Sequence, residues 1–185
     1  MATLTELSFT RREFVVAAAL TGFWSTRALW CARTEEEDVL IVQFSDTGKR
    51  LGAVKMPKVV KTEQEWKKQL TPASFFVARL RGTERAFSGA YWNLHEKGLF
   101  RCICCDTALF SSAAKFDSGT GWPSFWEPIA EENVRHGAPS HGYTDSEVTC
   151  TRCDAHLGDL FDDGPKPTGL RYCIDSVALR FAKLG

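Results

Sequence analysis

The chain opens with an apolar run, Val15 to Trp24, set directly behind the charged string Arg11-Arg12-Glu13. Such a run is long enough for the core of a signal peptide and too short to cross a bilayer well. Thr34 to Asp38 is polar and acidic and reads as a linker. Val39-Leu40-Ile41-Val42-Gln43-Phe44 is a β-rich run, Ser45-Asp46-Thr47-Gly48 a turn, and Arg50 to Met56 a second run, so a hairpin is predicted, ended by Pro57. Thr62-Glu63-Gln64-Glu65 has capping-box spacing and predicts a short helix carrying Trp66 and Leu70. Thr71 caps a second helix, with Pro72 at its first position and Gly82 past its end. From Tyr91 onward the helical period is lost. Short apolar stretches (Gly98 to Ile103, Ala108 to Phe110, Val148 to Cys150, Val177 to Phe181) alternate with Gly, Pro, Asp and Ser. That rhythm predicts antiparallel β sheets with irregular loops, so the fold class is mainly β (α+β) with short N-terminal helices.

Composition narrows this picture only slightly. At 185 residues and 44% hydrophobic, the chain can form one ordinary domain with extra length at an end. Lys plus Arg equals Asp plus Glu at 23 each, which removes any electrostatic reason to expect nucleic acid or an anionic membrane as partner. The expected organisation is an export signal over 1–33, a linker and hairpin extension over 34–60, and the main domain over 61–185. Thr10-Arg11-Arg12-Glu13-Phe14-Val15 resembles a twin-arginine signal, whose arginines are read by a receptor and do not act as an anchor. A surface arginine pair ahead of a buried helix is the plainer reading. No clean small-x-small cleavage site follows, and Ala28-Leu29-Trp30-Cys31 is a poor lipoprotein-type match because of Trp30. The expectation is a periplasmic or otherwise extracytoplasmic protein with no stable membrane insertion; anchoring through an uncleaved signal is the alternative.

The cysteines change the picture more. There are seven, at 31, 102, 104, 105, 150, 153 and 173, and an odd number leaves at least one outside any disulfide framework. Cys102-Ile103-Cys104-Cys105 and Cys150-Thr151-Arg152-Cys153 each contain a Cys-x-x-Cys pair. Two such pairs can close the tetrahedral shell of one zinc ion with Cys102, Cys105, Cys150 and Cys153, leaving no position open for water. One structural zinc per chain is expected on that pattern. Two disulfides are the competing reading, and an exported location would permit them. Of the remaining thiols, Cys173 follows Arg171-Tyr172 in an extended segment, where Arg171 and Cys173 project to one face. A guanidinium beside a thiol favours the reactive thiolate, although a buried core cysteine is equally consistent with this segment alone.

Ser118-Gly119-Thr120-Gly121-Trp122-Pro123-Ser124-Phe125 resembles a signature of B-type methionine sulfoxide reductases. So do His156-Leu157-Gly158, Phe161 with Asp163-Gly164-Pro165, and Thr168-Gly169 leading into Arg171-Tyr172-Cys173. Leu70-Thr71, Thr83-Glu84, Phe87 with Gly89 and both knuckles fall in family order, so the resemblance runs from about Leu70 to Phe181. It implies the β-rich fold of that family, with a zinc site remote from the active site, and thiol-dependent reduction of the R epimer of peptide-bound methionine sulfoxide. Cys173 would attack the sulfoxide sulfur and become a sulfenic acid, reduced in turn by a thioredoxin-like partner. Trp122 would wall the substrate methyl, with Phe161 also at the substrate. Arg171 would sustain the thiolate, His156 would polarise or protonate the oxygen, and Asp163 would orient its neighbours. Oxidised proteins are the implied substrate, and a monomer the expected state.

Three positions depart from that pattern. Asp159 stands where the family has a second histidine, and Asp175 where it has an asparagine. Asp159 could donate a proton only with a raised pKa, while Asp175 adds a like charge that raises the thiol pKa unless Arg171 offsets it. The two aspartates would form an adapted acid pair and lower the pH optimum. Thr120 stands where many members carry a resolving cysteine, which leaves Cys104, Cys31 or direct reduction. Two other readings compete with the repair enzyme. One is a zinc-stabilised binding module on the same fold that no longer turns over; the other is a thiol–disulfide enzyme using a Cys-x-x-Cys pair.

Overall fold

The computed structural model describes residues 38–137 and 146–184. The segment 1–33 read as an export signal, Cys31, and most of the acidic linker lie outside the described residues.

The two runs at the start form the expected antiparallel hairpin, β1 (Asp38–Phe44) and β2 (Arg50–Pro57). Only Ile41 and Val42 of β1 are buried. The hairpin is held to the rest of the domain by Asn133, whose side chain accepts from the Val42 N–H at 2.8 Å and donates to the Val42 carbonyl at 2.8 Å. Asn133 is fully buried, so its amide meets a strand edge that would otherwise be capped by nothing in the interior.

Both helices follow their sequence signals. Helix α1 (Glu63–Gln69) begins with a complete capping box between Thr62 and Glu65 and buries Trp66. Helix α2 (Pro72–Leu80) starts from Thr71 with Pro72 in its first turn. Its end also follows the expectation, with Gly82 past the last helical residue. The left-handed residue is Arg81 at φ 58°, and Gly82 follows it, donating its N–H to the Phe76 carbonyl at 3.0 Å. Gly82 serves a close approach: a Cβ there would lie 2.1 Å from the Phe76 ring.

The remaining strands are β3 (Gly98–Cys102), β4 (Ala108–Ser111), β5 (Lys115–Phe116), β6 (Ser124–Phe125), β7 (Val134–His136), β8 (Glu147–Cys150), β9 (His156–Phe161), β10 (Arg171–Ile174) and β11 (Leu179–Lys183). They build a six-stranded antiparallel sheet, in order β5-β6-β10-β9-β8-β7, and a three-stranded sheet, β11-β3-β4. The run expected as one strand from Val177 is split: residues Ser176–Ala178 form a 3₁₀ turn before β11 begins. An aromatic core joins the sheets. Phe110 of β4 stacks on Phe125 of β6 at 4.5 Å, Phe100 of β3 meets Phe125 edge-on at 4.9 Å, and Tyr172 of β10 lies 5.6 Å from Phe110. All four rings are almost wholly buried, at 1% exposure or less.

Candidate functional site

Strand β10 carries the site because its residues alternate. Tyr172 and Ile174 are buried in the core, so Arg171 and Cys173 face the other way, as strand geometry requires. There they line a cavity of about 320 Å³ together with Thr83, Thr120, Trp122, Gly158, Asp159, Phe161 and Asp175. Six residues singled out from the sequence (Trp122, Asp159, Phe161, Arg171, Cys173, Asp175) therefore meet around one hollow.

Strand β9 supplies the facing wall, with Asp159 opposite Cys173 and Gly158 opposite Ile174. Gly158 adopts φ 149°, and a Cβ on it would sit 2.0 Å from the Cys173 carbonyl oxygen. Only glycine lets this strand run so close behind the cysteine.

Arg171 is held rigidly. Its Nε and Nη2 donate to the two carboxylate oxygens of Asp163 at 2.7 and 2.8 Å, a bidentate fork, and its guanidinium lies 4.2 Å from the Phe161 ring. Asp163 thus orients the cation from behind the cavity. Burial pushes the Cys173 thiol up to about 11; the Arg171 guanidinium and the Thr120 hydroxyl pull it down, and the Asp175 and Asp159 carboxylates push it further up. Burial also pushes the Asp175 carboxyl up to about 7, with the Glu84 and Asp159 charges adding to the rise against the hydrogen bond from the Glu84 N–H. The cavity therefore holds a carboxyl that is half protonated near neutrality beside a thiol.

His156 is not among the residues lining this cavity. It is buried on β9 with its Nδ1 2.9 Å from Glu147 Oε1. Asp159 instead has its carboxylate at the cavity, accepting from the Ser146 hydroxyl at 3.3 Å. Two residues that sequence reasoning left without a role are prominent here. Glu84 donates its backbone N–H to Asp175 at 2.7 Å and accepts from Trp122 Nε1 at 3.2 Å through its carbonyl. Glu147 partners His156. Neither lies in a pattern that chemistry alone would mark, because one meets its partners across some ninety residues and the other across a strand pair.

At the other end of β3 and β8, the four knuckle sulfurs converge, all within 4.8 Å of one another. Cys102 and Cys153 Sγ are 3.6 Å apart and Cys105 and Cys150 Sγ 3.5 Å apart. Four ligands at about 2.3 Å around a tetrahedral centre would be separated by about 3.8 Å, so the set fits one metal ion. The cysteines stand as free thiols with no sulfur–sulfur bond among the four, an arrangement that favours a metal shell over two disulfides. The knuckles share a local design: Cys102 and Cys150 each accept, through their carbonyls, from the N–H of a left-handed aspartate four residues on, Asp106 and Asp154, both at 2.9 Å. Helix side chains brace them, Gln69 donating to the Cys104 carbonyl at 2.7 Å and Arg79 to the Cys153 carbonyl at 2.8 Å. Cys104 is buried beside the knuckle and does not line the cavity of Cys173.

The chain matches the family model of the SelR domain over residues 70–183. It is 58% identical over 125 residues to the peptide methionine sulfoxide reductase MsrB of Pseudomonas entomophila, covering 67% of this chain and 95% of that protein. The MsrB protein of Acinetobacter baylyi is 51% identical over 126 residues, 68% of this chain and 91% of that protein. The chloroplastic peptide methionine sulfoxide reductase B1 of Arabidopsis thaliana is 51% identical over 124 residues, 66% of this chain and 61% of that protein.

The electrostatics of the cavity make a direct prediction. Alkylation of Cys173 by iodoacetamide, followed against pH, should show a high midpoint set by burial. Because the Asp175 charge raises the thiol pKa, Asp175→Asn should move that midpoint to lower pH; because the Arg171 charge lowers it, Arg171→Met should move it higher. An unchanged midpoint in both variants would mean that these charges do not reach the sulfur.

Proposed function

The chain belongs to the SelR-domain, B-type methionine sulfoxide reductase family and is an oxidoreductase that reduces methionine sulfoxide, and from this premise we propose that Cys173 is its nucleophile. The observation carrying the proposal is the single cavity in which Cys173 meets Arg171, Asp175 and the aromatic side chains of Trp122 and Phe161. The substrate is the R epimer of methionine sulfoxide within oxidised proteins or peptides. Its S-methyl group rests against Trp122, and its sulfur faces Cys173.

The Cys173 sulfur attacks the sulfoxide sulfur, and the S–O bond breaks as the oxygen passes to the cysteine. Methionine leaves and Cys173 is left as a sulfenic acid, its one proton coming from the thiol itself or through Asp175. A first reducing thiol then forms a mixed disulfide with release of water. A second frees Cys173 and leaves as a disulfide. With Thr120 in the resolving position and Cys104 buried at the knuckle, a thioredoxin-like dithiol acting directly on Cys173 supplies both thiols.

Between about 7 and about 11 the two groups hold one proton, carried mainly by the Cys173 thiol with Asp175 ionised, and the reactive arrangement is the one in which that proton has passed to Asp175. Activity should therefore fall as pH drops through about 7, where both groups are protonated. The acidic optimum expected of two aspartates gives way to a neutral-to-alkaline one, because burial of the thiol outweighs Arg171. Asp175, and not His156, is the acid in this scheme; Asp159 contributes charge.

Dithiothreitol-driven reduction of a peptide R-sulfoxide tests the reading. The parent should turn over, and Cys173→Ser should lose activity by on the order of 10³-fold or more. A folded parent that binds the peptide sulfoxide without turnover at any pH would point instead to a binding module, the reading that Asp159 and Asp175 favour.

Cys102, Cys105, Cys150 and Cys153 would hold one zinc ion, whose closed thiolate shell supplies folding energy and no catalytic position. Stripping it should remove on the order of 5 kcal/mol and lower Tm by roughly 10–20 °C, read by calorimetry beside metal analysis. A metal-free protein with unchanged Tm would remove the zinc.

The twin-arginine string supports export to an extracytoplasmic compartment. In cells, Arg11→Lys with Arg12→Lys should retain the protein in the cytoplasm, and unchanged export by the double variant would reject that route.

A further inference from the structure

Asp175 occupies the N-cap position of the 3₁₀ turn Ser176–Ala178 that follows the nucleophile strand, yet its side chain makes no capping bond. Aspartate at such a position ordinarily accepts from the first free N–H groups of the turn. Here a distant side chain does so: Glu84 accepts from the Ser176 N–H through Oε1 at 2.7 Å and from the Val177 N–H through Oε2 at 3.0 Å. The segment around Glu84 lies so close to this turn that a Cβ at Gly89 would fall 2.3 Å from Glu84 Oε1 and 2.2 Å from Ser176 Oγ.

We propose that Glu84 is a positioning residue that takes over the capping of this turn and thereby sets both Asp175 and Trp122 at the cavity. The carboxylate fixes residue 84 against the exit of β10. Its backbone N–H then holds Asp175 Oδ1 at 2.7 Å, and its carbonyl holds Trp122 Nε1 at 3.2 Å. Relieved of capping, Asp175 can turn its carboxyl to the cavity. Among the described residues, Glu84 from the loop after α2 and Asp159 from β9 act on the Asp175 charge, and Arg171 and Cys173 from β10 line the same cavity. Glu84 thus acts on Asp175 twice, by a hydrogen bond that favours the charged form and by a negative charge that disfavours it. The inference rests on the reading of Asp175 as the acid for its kinetic consequence, though not for its geometry.

The test uses the full chain with Glu84→Ala and Glu84→Gln, peptide R-sulfoxide kinetics across pH, and carbon-13 titration of the Asp175 carboxyl, assigned with Asp175→Asn. In Glu84→Ala, KM should rise roughly fivefold or more as Trp122 loses its anchor, and kcat should fall. Glu84→Gln keeps the shape and one accepting oxygen, so KM should return toward the parent. With the negative charge gone, the Asp175 midpoint and the acid limb of activity should both move to lower pH. Should Glu84→Ala fail to fold, Glu84→Gln carries the test through its titration. Parent-like KM, kcat and Asp175 midpoint in the folded variants, whatever their Tm, would overturn the proposal. If Asp175→Asn keeps the acid limb while Glu84→Gln still shifts the Asp175 midpoint, the acid reading fails and the positioning stands.

Discussion

The site depends on where one ring is buried. Tyr172 sits among Phe100, Phe110 and Phe125 between the two sheets, and because side chains alternate along a strand, its burial decides that Arg171 and Cys173 face the cavity. A slip of one residue would drive a guanidinium and a thiol into an aromatic core and leave the tyrosine in water. The cost of that exchange, a buried unpaired charge plus the loss of a fully buried ring, is several kcal/mol. Register is therefore enforced by the core, and the chemistry inherits its direction from packing. Gly158 completes the constraint from the other side, since no other residue lets β9 pass its backbone against the Cys173 carbonyl.

The same packing sets the electrostatics. A nucleophile delivered by a core strand is desolvated by that core, so its thiol starts from a raised pKa. Arg171 opposes this as a point of fixed geometry: the bidentate Asp163 and the Phe161 face leave it little freedom to move away. Asp163 also neutralises part of the field that Arg171 would otherwise direct at the sulfur. The result is a guarded thiol, which burial keeps protonated against the pull of Arg171 and the Thr120 hydroxyl. Asp175 stands beside it as a carboxyl that burial raises to about 7, so that it exchanges its proton near neutrality.

How much of this was legible in the sequence follows from the range of each signal. Local patterns read well: the Thr62–Glu65 capping box, Thr71 before Pro72, and the hairpin across residues 45–48 are decided by neighbours a few positions apart. The Cys-x-x-Cys pairs were legible because a metal shell demands a fixed chemistry and spacing. Two-residue strands such as β5 and β6 were not, because β6 exists through pairing with β10, and β5 through pairing with β6, rather than through any propensity of their own. The split of the last strand by the turn Ser176–Ala178 was hidden for a similar reason: the turn is capped by Glu84, 92 residues away for the Ser176 contact. His156 shows the converse. Its place in a motif suggested the cavity, whereas its bond to Glu147 on the neighbouring strand holds it elsewhere.

The knuckles and the helices together explain why a site so dependent on β10 can be built from distant segments. Cys102 ends β3 and Cys150 ends β8, so a shared ion would tie the three-stranded sheet to the six-stranded one, the two layers whose aromatic faces enclose Tyr172. Gln69 and Arg79 bind the carbonyls of the two knuckles from helices α1 and α2, and Arg79 also lies 4.8 Å from the buried Trp66 ring. Helix α2 then leads directly into Thr83 and Glu84, which reach the cavity and the turn after the nucleophile. A continuous set of contacts therefore runs from the metal-binding thiols through the helices to Asp175 and Trp122. Loosening the knuckles would therefore loosen the seating of Glu84, although the four thiols lie away from the cavity of Cys173.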